Sequence, residues 1–179
     1  MIKTLTSLLL ISYVAVGQNN VEQTSNTTNW KSLDHHSYSI KYPSHWELNE
    51  SGEMGTSLII LSPLESEKDT FRENVNLLIQ DLTGLDIDLD QYTKISEDQM
   101  KSMFTNYTLI ENKRINKNND EFHKVIYVVD NGFYLLQFEQ YFRVSDDKAY
   151  VLTFTSEKEK FETYRVTGEK ILNSFLLKK

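Results

Sequence analysis

The chain has 179 residues, with 26 acidic against 19 basic side chains, a formal charge of −7 and no cysteine. That length suffices for one domain with a real core. The acidic balance makes nucleic acid and anionic membrane surfaces poor partners, and the lack of cysteine excludes disulfides, thiol catalysis and cysteine metal sites.

Leu5 to Val16 is an apolar run behind Lys3. It has the length of a signal-peptide core and is too short to span a bilayer comfortably. Ala15-Val16-Gly17 puts small residues where a signal peptidase reads. Residues 1–17 are therefore predicted to be a signal peptide, cut after Gly17 to leave Gln18 at the mature N-terminus. A lipid anchor needs a cysteine at the cleavage point, so the expectation is an exported protein, periplasmic or extracellular, with no stable membrane anchor. Gln18 to Ser32 is rich in Asn, Thr and Gln and reads as a flexible polar leader. One folded domain is expected from Leu33 to Lys179, without internal repeats or a second linker.

Tyr38 to Tyr42 alternates strictly and predicts a half-buried strand ended by Pro43. Trp46 is expected to fold back onto the core. Leu58 to Leu61 is a second short strand, and Leu64 to Arg72 is a polar loop. Asn74 to Leu82 is a third strand, with Val75, Leu77 and Ile79 on one face and Asn74, Asn76 and Gln80 on the other. A helix follows. Asp88 is its N-cap, Gln91 completes a capping box, and Ile87 and Tyr92 are placed as a hydrophobic staple. Tyr92, Ile95, Met100, Met103 and Phe104 are expected on its buried side. Tyr107 to Ile115 is a further strand.

The C-terminal block reads as a meander. Phe122 to Val129 is rich in β-branched and aromatic residues, Asp130-Asn131-Gly132 is a hairpin turn, and Phe133 to Val144 is a strand with apolar residues on both faces. Ser145 to Lys148 turns the chain into a last strand, Ala149 to Thr155. Ser156 with Glu159 is then expected to cap a helix whose buried stripe runs through Phe161, Tyr164, Gly168, Ile171, Leu172 and Phe175. Gly168 on that stripe lets the helix approach the sheet closely.

Motifs for chemistry are sparse. Asp86, Asp88, Asp90 and Glu97 have the spacing of a calcium loop, but Gln91 replaces the glycine of the sharp turn and Lys94 would repel the ion. The same residues make a good helix start, and that reading is preferred. His35 and His36 point apart in an extended chain, and His35, His36, His45 and His123 read as surface residues rather than metal ligands. There is no G-x-S-x-G elbow, no glycine-rich phosphate loop and no H-E-x-x-H. No enzyme activity, catalytic residue, metal or cofactor is expected.

Several segments resemble PsbP-like proteins. Tyr38 to Trp46 is similar to their Y-x-I-x-Y-P-x-x-W opening. Ser62-Pro63 followed by Asp69 to Asn76 is similar to their SP and D-x-F-x-E-N-V-N segment. Tyr150 to Thr155, Phe161-Glu162 and Ile171 to Phe175 are similar to their closing pattern. The resemblance spans Leu33 to Leu177. It implies an α+β fold, an α/β/α sandwich with a central antiparallel sheet and helices on both faces. It also implies a non-catalytic protein-binding or assembly module; with the signal-peptide pattern, the expected partner is an unknown envelope or secreted protein. The contact surface is expected on the loop Leu64 to Arg72 and the polar strand face after it, with Asp69, Phe71, Arg72, Glu73, Asn74, Asn76 and Gln80 as candidate residues. The alternative is a periplasmic carrier of a small apolar or aromatic ligand, suggested by ten Tyr and nine Phe.

Overall fold

The structure, a computed structural model, describes residues 29–117 and 120–178. The predicted signal peptide, its cleavage point and most of the polar leader lie outside the described residues. The end of that leader does not. Trp30–Asp34 forms strand β1 and pairs antiparallel with β2 (Tyr38–Pro43), Trp30 opposite Pro43. The folded domain therefore starts before Leu33. Trp30 packs against the core, with the Lys170 ammonium 4.5 Å from its ring centroid. A single aromatic anchor outweighs the polarity of its neighbours.

The chain continues through β3 (Glu47–Asn49), β4 (Leu58–Leu61), β5 (Asn74–Asp81), α1 (Leu89–Met103), β6 (Tyr107–Lys117), β7 (Asp120–Asp130), β8 (Leu135–Ser145), β9 (Lys148–Glu157), α2 (Phe161–Asn173) and β10 (Leu176–Leu177). Seven strands form the main sheet in the order β3-β4-β5-β9-β8-β7-β6, and β1-β2-β10 form a small second sheet. Every pairing is antiparallel. β9 sits at the centre, between β5 and β8.

The two faces of the main sheet carry separate cores. Val75, Leu77, Leu152 and Phe154 meet α2 through Phe161, Ile171 and Leu172, together with Tyr38 and Ile40 of the small sheet. Val125, Tyr127, Val129, Leu136, Phe138 and Phe142 meet α1 through Leu89, Tyr92 and Met100. This is the expected α/β/α sandwich. Each fully buried large apolar side chain contributes about 1.5–3 kcal/mol. Gly168 matters to the α2 contact: a Cβ there would lie 2.6 Å from Phe154 Cγ, so only glycine lets the helix sit this close.

Local chemistry explains the helix and turn positions. Asp88 Oδ1 accepts from the Gln91 backbone N–H at 2.8 Å, and Gln91 Oε1 accepts from the Asp88 N–H at 2.9 Å. The predicted capping box is present. The buried side of α1 differs at its end, because Met103 is 53% exposed while Thr93 and Ser96 turn inward. α2 corrects a second expectation. Ser156 does not cap it, because β9 runs on to Glu157, which pairs with Leu136. The helix begins only at Phe161, with Lys160 at the N-cap and no side-chain cap. Between β8 and β9, Asp146 (φ 52°) and Asp147 (φ 54°) are both left-handed, as a two-residue hairpin turn requires. The Asp130-Asn131-Gly132 turn is longer than expected. Asn131 Oδ1 accepts from the backbone N–H of Phe133 and of Tyr134, so these residues belong to the turn and β8 starts at Leu135.

Candidate functional site

The residues expected at a partner surface fall into two groups, and neither lies open on the surface. The loop from Leu64 to Arg72 is tied down by ions. Lys160 Nζ lies 3.0 Å from Asp69 Oδ1, 3.1 Å from Glu157 Oε2 and 3.4 Å from Glu65 Oε2. Asp69 also accepts from the backbone N–H of Glu65 (3.0 Å) and of Phe71 (3.4 Å). Burial pushes the Asp69 carboxyl upward, but these hydrogen bonds and Lys160 overcome it and hold the group below the ordinary carboxylate value. Burial works against the Lys160 charge, yet Asp69 and Glu157 keep it firmly protonated. Arg72 donates to Ser62 O and to Glu47 Oε2 (2.7 Å), bracing the loop against β3.

Phe71 and Glu73 point inward, at 5% and 0% exposure. Phe71 packs on Tyr134 with ring centroids 5.3 Å apart. The Glu73 carboxylate receives long hydrogen bonds from Ser62 Oγ and Ser156 Oγ, both at 3.4 Å. Burial pushes its pKa up. A serine, a carboxylate and a lysine thus meet here, but Lys160 is held charged by its acids and offers no base to the serine. The arrangement joins loop, β9 and α2.

Asn74 and Asn76 were expected on an exposed strand face and are buried instead. They lie opposite Thr155 and Thr153 of β9, which are buried too, and Gln140 donates to Thr153 Oγ1 at 2.9 Å. The polar residues form an internal layer because β5 is an inner strand. Gln80 is half-buried and accepts from the Tyr92 hydroxyl of α1. Of the seven candidates, only Asp69, Arg72 and Gln80 keep partial access to solvent.

The acidic run at the start of α1 is used internally. Asp88 caps the helix. Asp90 lies 2.7 Å from His123 Nε2 and 2.5 Å from Arg114 Nη1, and His123 followed by Arg114 holds its carboxyl below the usual value. Among the described residues no three His, Asp or Glu side chains converge as metal ligands. His35 stacks on Tyr38 at 4.6 Å between centroids, and His45 is exposed.

The surface feature that sequence reasoning missed is apolar. Seven large hydrophobic residues are exposed among the described residues: Met103, Leu109, Ile110, Phe133, Leu135, Val166 and Leu176. The first five lie on segments whose backbones meet at one end of the main sheet, though on different faces: Leu109 stands opposite Tyr127 on the α1 side, and Leu135, next to the inward Leu136, stands on the other. Asn106 O accepts from Asp130 N, and Tyr107 pairs with Val129, so the end of α1, the start of β6 and the β7–β8 turn lie together. Phe133 is at the tip of that turn, 84% exposed. Ile110 stands at a β-bulge, where the β6–β7 register jumps between Leu109 and Glu111. Burial, aided by Glu97, pushes the neighbouring Tyr107 hydroxyl up to about 12, so it stays neutral. Scattered exposed apolar residues are ordinary; several together mark a contact site. The one available signal was Phe133 beside the Asn131-Gly132 turn, where a turn tip favours exposure.

Comparison with solved structures finds the same architecture in several proteins. Cyanobacterial PsbP from Synechocystis has a TM-score of 0.65 with 13% sequence identity, covering 89% of this chain and 98% of its own. The chain has the PsbP-like fold. LpqN of Mycobacterium tuberculosis, described as involved in cell envelope biogenesis, matches with a TM-score of 0.62 and 13% identity over 86% of this chain and 93% of its own. PA94 of Pseudomonas aeruginosa, of unknown function, matches at 0.59 and 12% identity over 84% of this chain and 97% of its own. No family model and no curated protein matches the sequence. At these identities the likeness concerns the fold. No helix among the described residues is long and apolar enough to cross a membrane.

Proposed function

We propose that this PsbP-like chain is an exported, non-catalytic binding module of the cell envelope, and that it holds a protein partner at the apolar corner of its main sheet. The observation that carries this reading is Phe133, 84% exposed at the tip of the β7–β8 turn, where the end of α1 and the start of β6, with the exposed Met103, Leu109 and Ile110, also come to the sheet end. Turn-tip aromatics flanked by aliphatic side chains are typical interface anchors. The signal-peptide pattern at residues 1–17 and the likeness to an envelope-biogenesis protein support the location. A small-ligand carrier has less support, because Tyr127, Phe138 and Phe142 are packed in one core and Phe154 in the other.

The test is a cross-linking pull-down from the native envelope, run in parallel with the wild type and a Phe133→Asp, Leu135→Asp double variant. A protein recovered by the wild type and lost by the variant supports the reading. Equal recovery by both, or none by either, overturns it.

A further inference from the structure

β6 is the outer strand of the main sheet. Its inner side pairs with β7 over its whole length, and among the described residues no strand pairs with its outer side. The opposite edge, β3, is only 3 residues long, whereas β6 has 11. An open edge of that length is a template for another strand. Native edges are often protected by bulges and lysines, and β6 has both, at Ile110 and Lys113.

Beyond the bulge, Glu111, Asn112 and Lys113 pair regularly with Ile126, Val125 and Lys124. Glu111 and Lys113 share one face of the strand, and Lys113 Nζ lies 3.0 Å from Glu111 Oε1. Both remain solvent-accessible, at 32% and 53%. The segment is self-complementary when reversed. In an antiparallel pair of two copies with Asn112 on the twofold axis, Glu111 of each chain faces Lys113 of the other. Shifting the axis by one residue puts Lys113 against Lys113 or Glu111 against Glu111, and like charges directly opposite are destabilising. The bulge then ends the regular ladder and leaves Ile110 at the rim.

We propose that β6 is a dimerisation strand, pairing with β6 of a second copy of this chain in the register centred on Asn112. The pairing is isologous, as twofold symmetry demands. It joins two main sheets into one. Because the strands run antiparallel, the apolar corners at the start of each β6 fall at opposite ends of the shared ladder, and the dimer presents two of them.

The experiment is sedimentation equilibrium on the purified protein over a wide concentration range, with three variants. The wild type is expected to show a concentration-dependent dimer. Lys113→Glu alone and Glu111→Lys alone each turn two attractive cross-strand pairs into two repulsive ones, and should weaken the dimer by about tenfold or more. The Glu111→Lys, Lys113→Glu double swap restores complementarity and should restore the dimer. Recovery by the double swap separates the effect from a folding defect. A wild type that stays monomeric throughout overturns the proposal. So does a dimer indifferent to the single changes, or one the double swap fails to rescue.

Discussion

Two neighbouring regions meet at the same end of the main sheet and behave in opposite ways. The Leu64–Arg72 loop is polar in sequence and anchored in structure: Asp69 and Arg72 are held by Lys160, Glu47 and backbone groups, while Glu65 to Lys68 stay exposed at its tip. The Asp130–Leu135 turn is apolar at its tip and open to solvent. They touch, since the Tyr134 hydroxyl donates to Thr70 Oγ1 at 3.1 Å. Polarity in a sequence shows that a side chain needs partners, not that those partners are water or another protein. An apolar ring left 84% exposed at a turn tip is the better marker of a contact surface.

The contrast can be broken most strongly at Asp69. Asp69→Ala removes a nearly buried carboxylate, leaves Lys160 with only Glu157 and Glu65, and frees two backbone donors. It should cost about 2–4 kcal/mol in urea denaturation at neutral pH. The pH dependence has a definite sign. The Asp69 carboxyl is held below its unfolded value, so its contribution is present above the ordinary carboxylate range and is lost as pH falls through the folded value. The gap between wild type and Asp69→Asn should therefore close in acid.

Glu73 should behave in reverse. Its pKa is raised by burial, so the neutral form fits the fold, and stability falls as pH rises from the unfolded value through the folded one. Glu73→Gln should gain about 1 kcal/mol at neutral pH, and the gain should vanish in acid. The smallest effect belongs to the open region. Phe133→Asp should change stability by no more than about 0.5 kcal/mol, measured by thermal melting, while abolishing partner capture.

Local grammar was the legible part of this sequence. Asp88 and Gln91 cap α1 as read, because a capping box involves only residues three apart. Gly168 meets Phe154 as its place on the helical stripe implied. Ser156 and Glu159 have the same spacing as the true capping box, yet Glu157 is claimed by a strand partner, Leu136, that no local window reveals. Asn74 and Asn76 follow the same logic. Their alternation with Val75 and Leu77 was correct, but burial on both faces depends on where β5 stands in the sheet. The apolar corner draws on α1, β6 and the β7–β8 turn, three segments whose meeting is a tertiary fact.

The central place of β9 has a consequence for synthesis. β5 is made early and β9 late, yet the two pair along their full shared length, from Asn74 opposite Thr155 to Asp81 opposite Lys148. A nascent chain that ends before Lys148 leaves the inner edge of β5 raw and the meander without its closing strand. Such long-range pairing slows folding. The order of emergence thus keeps the first half of the domain waiting on the last quarter, and a chain that folds late is one that can still be threaded through a narrow opening.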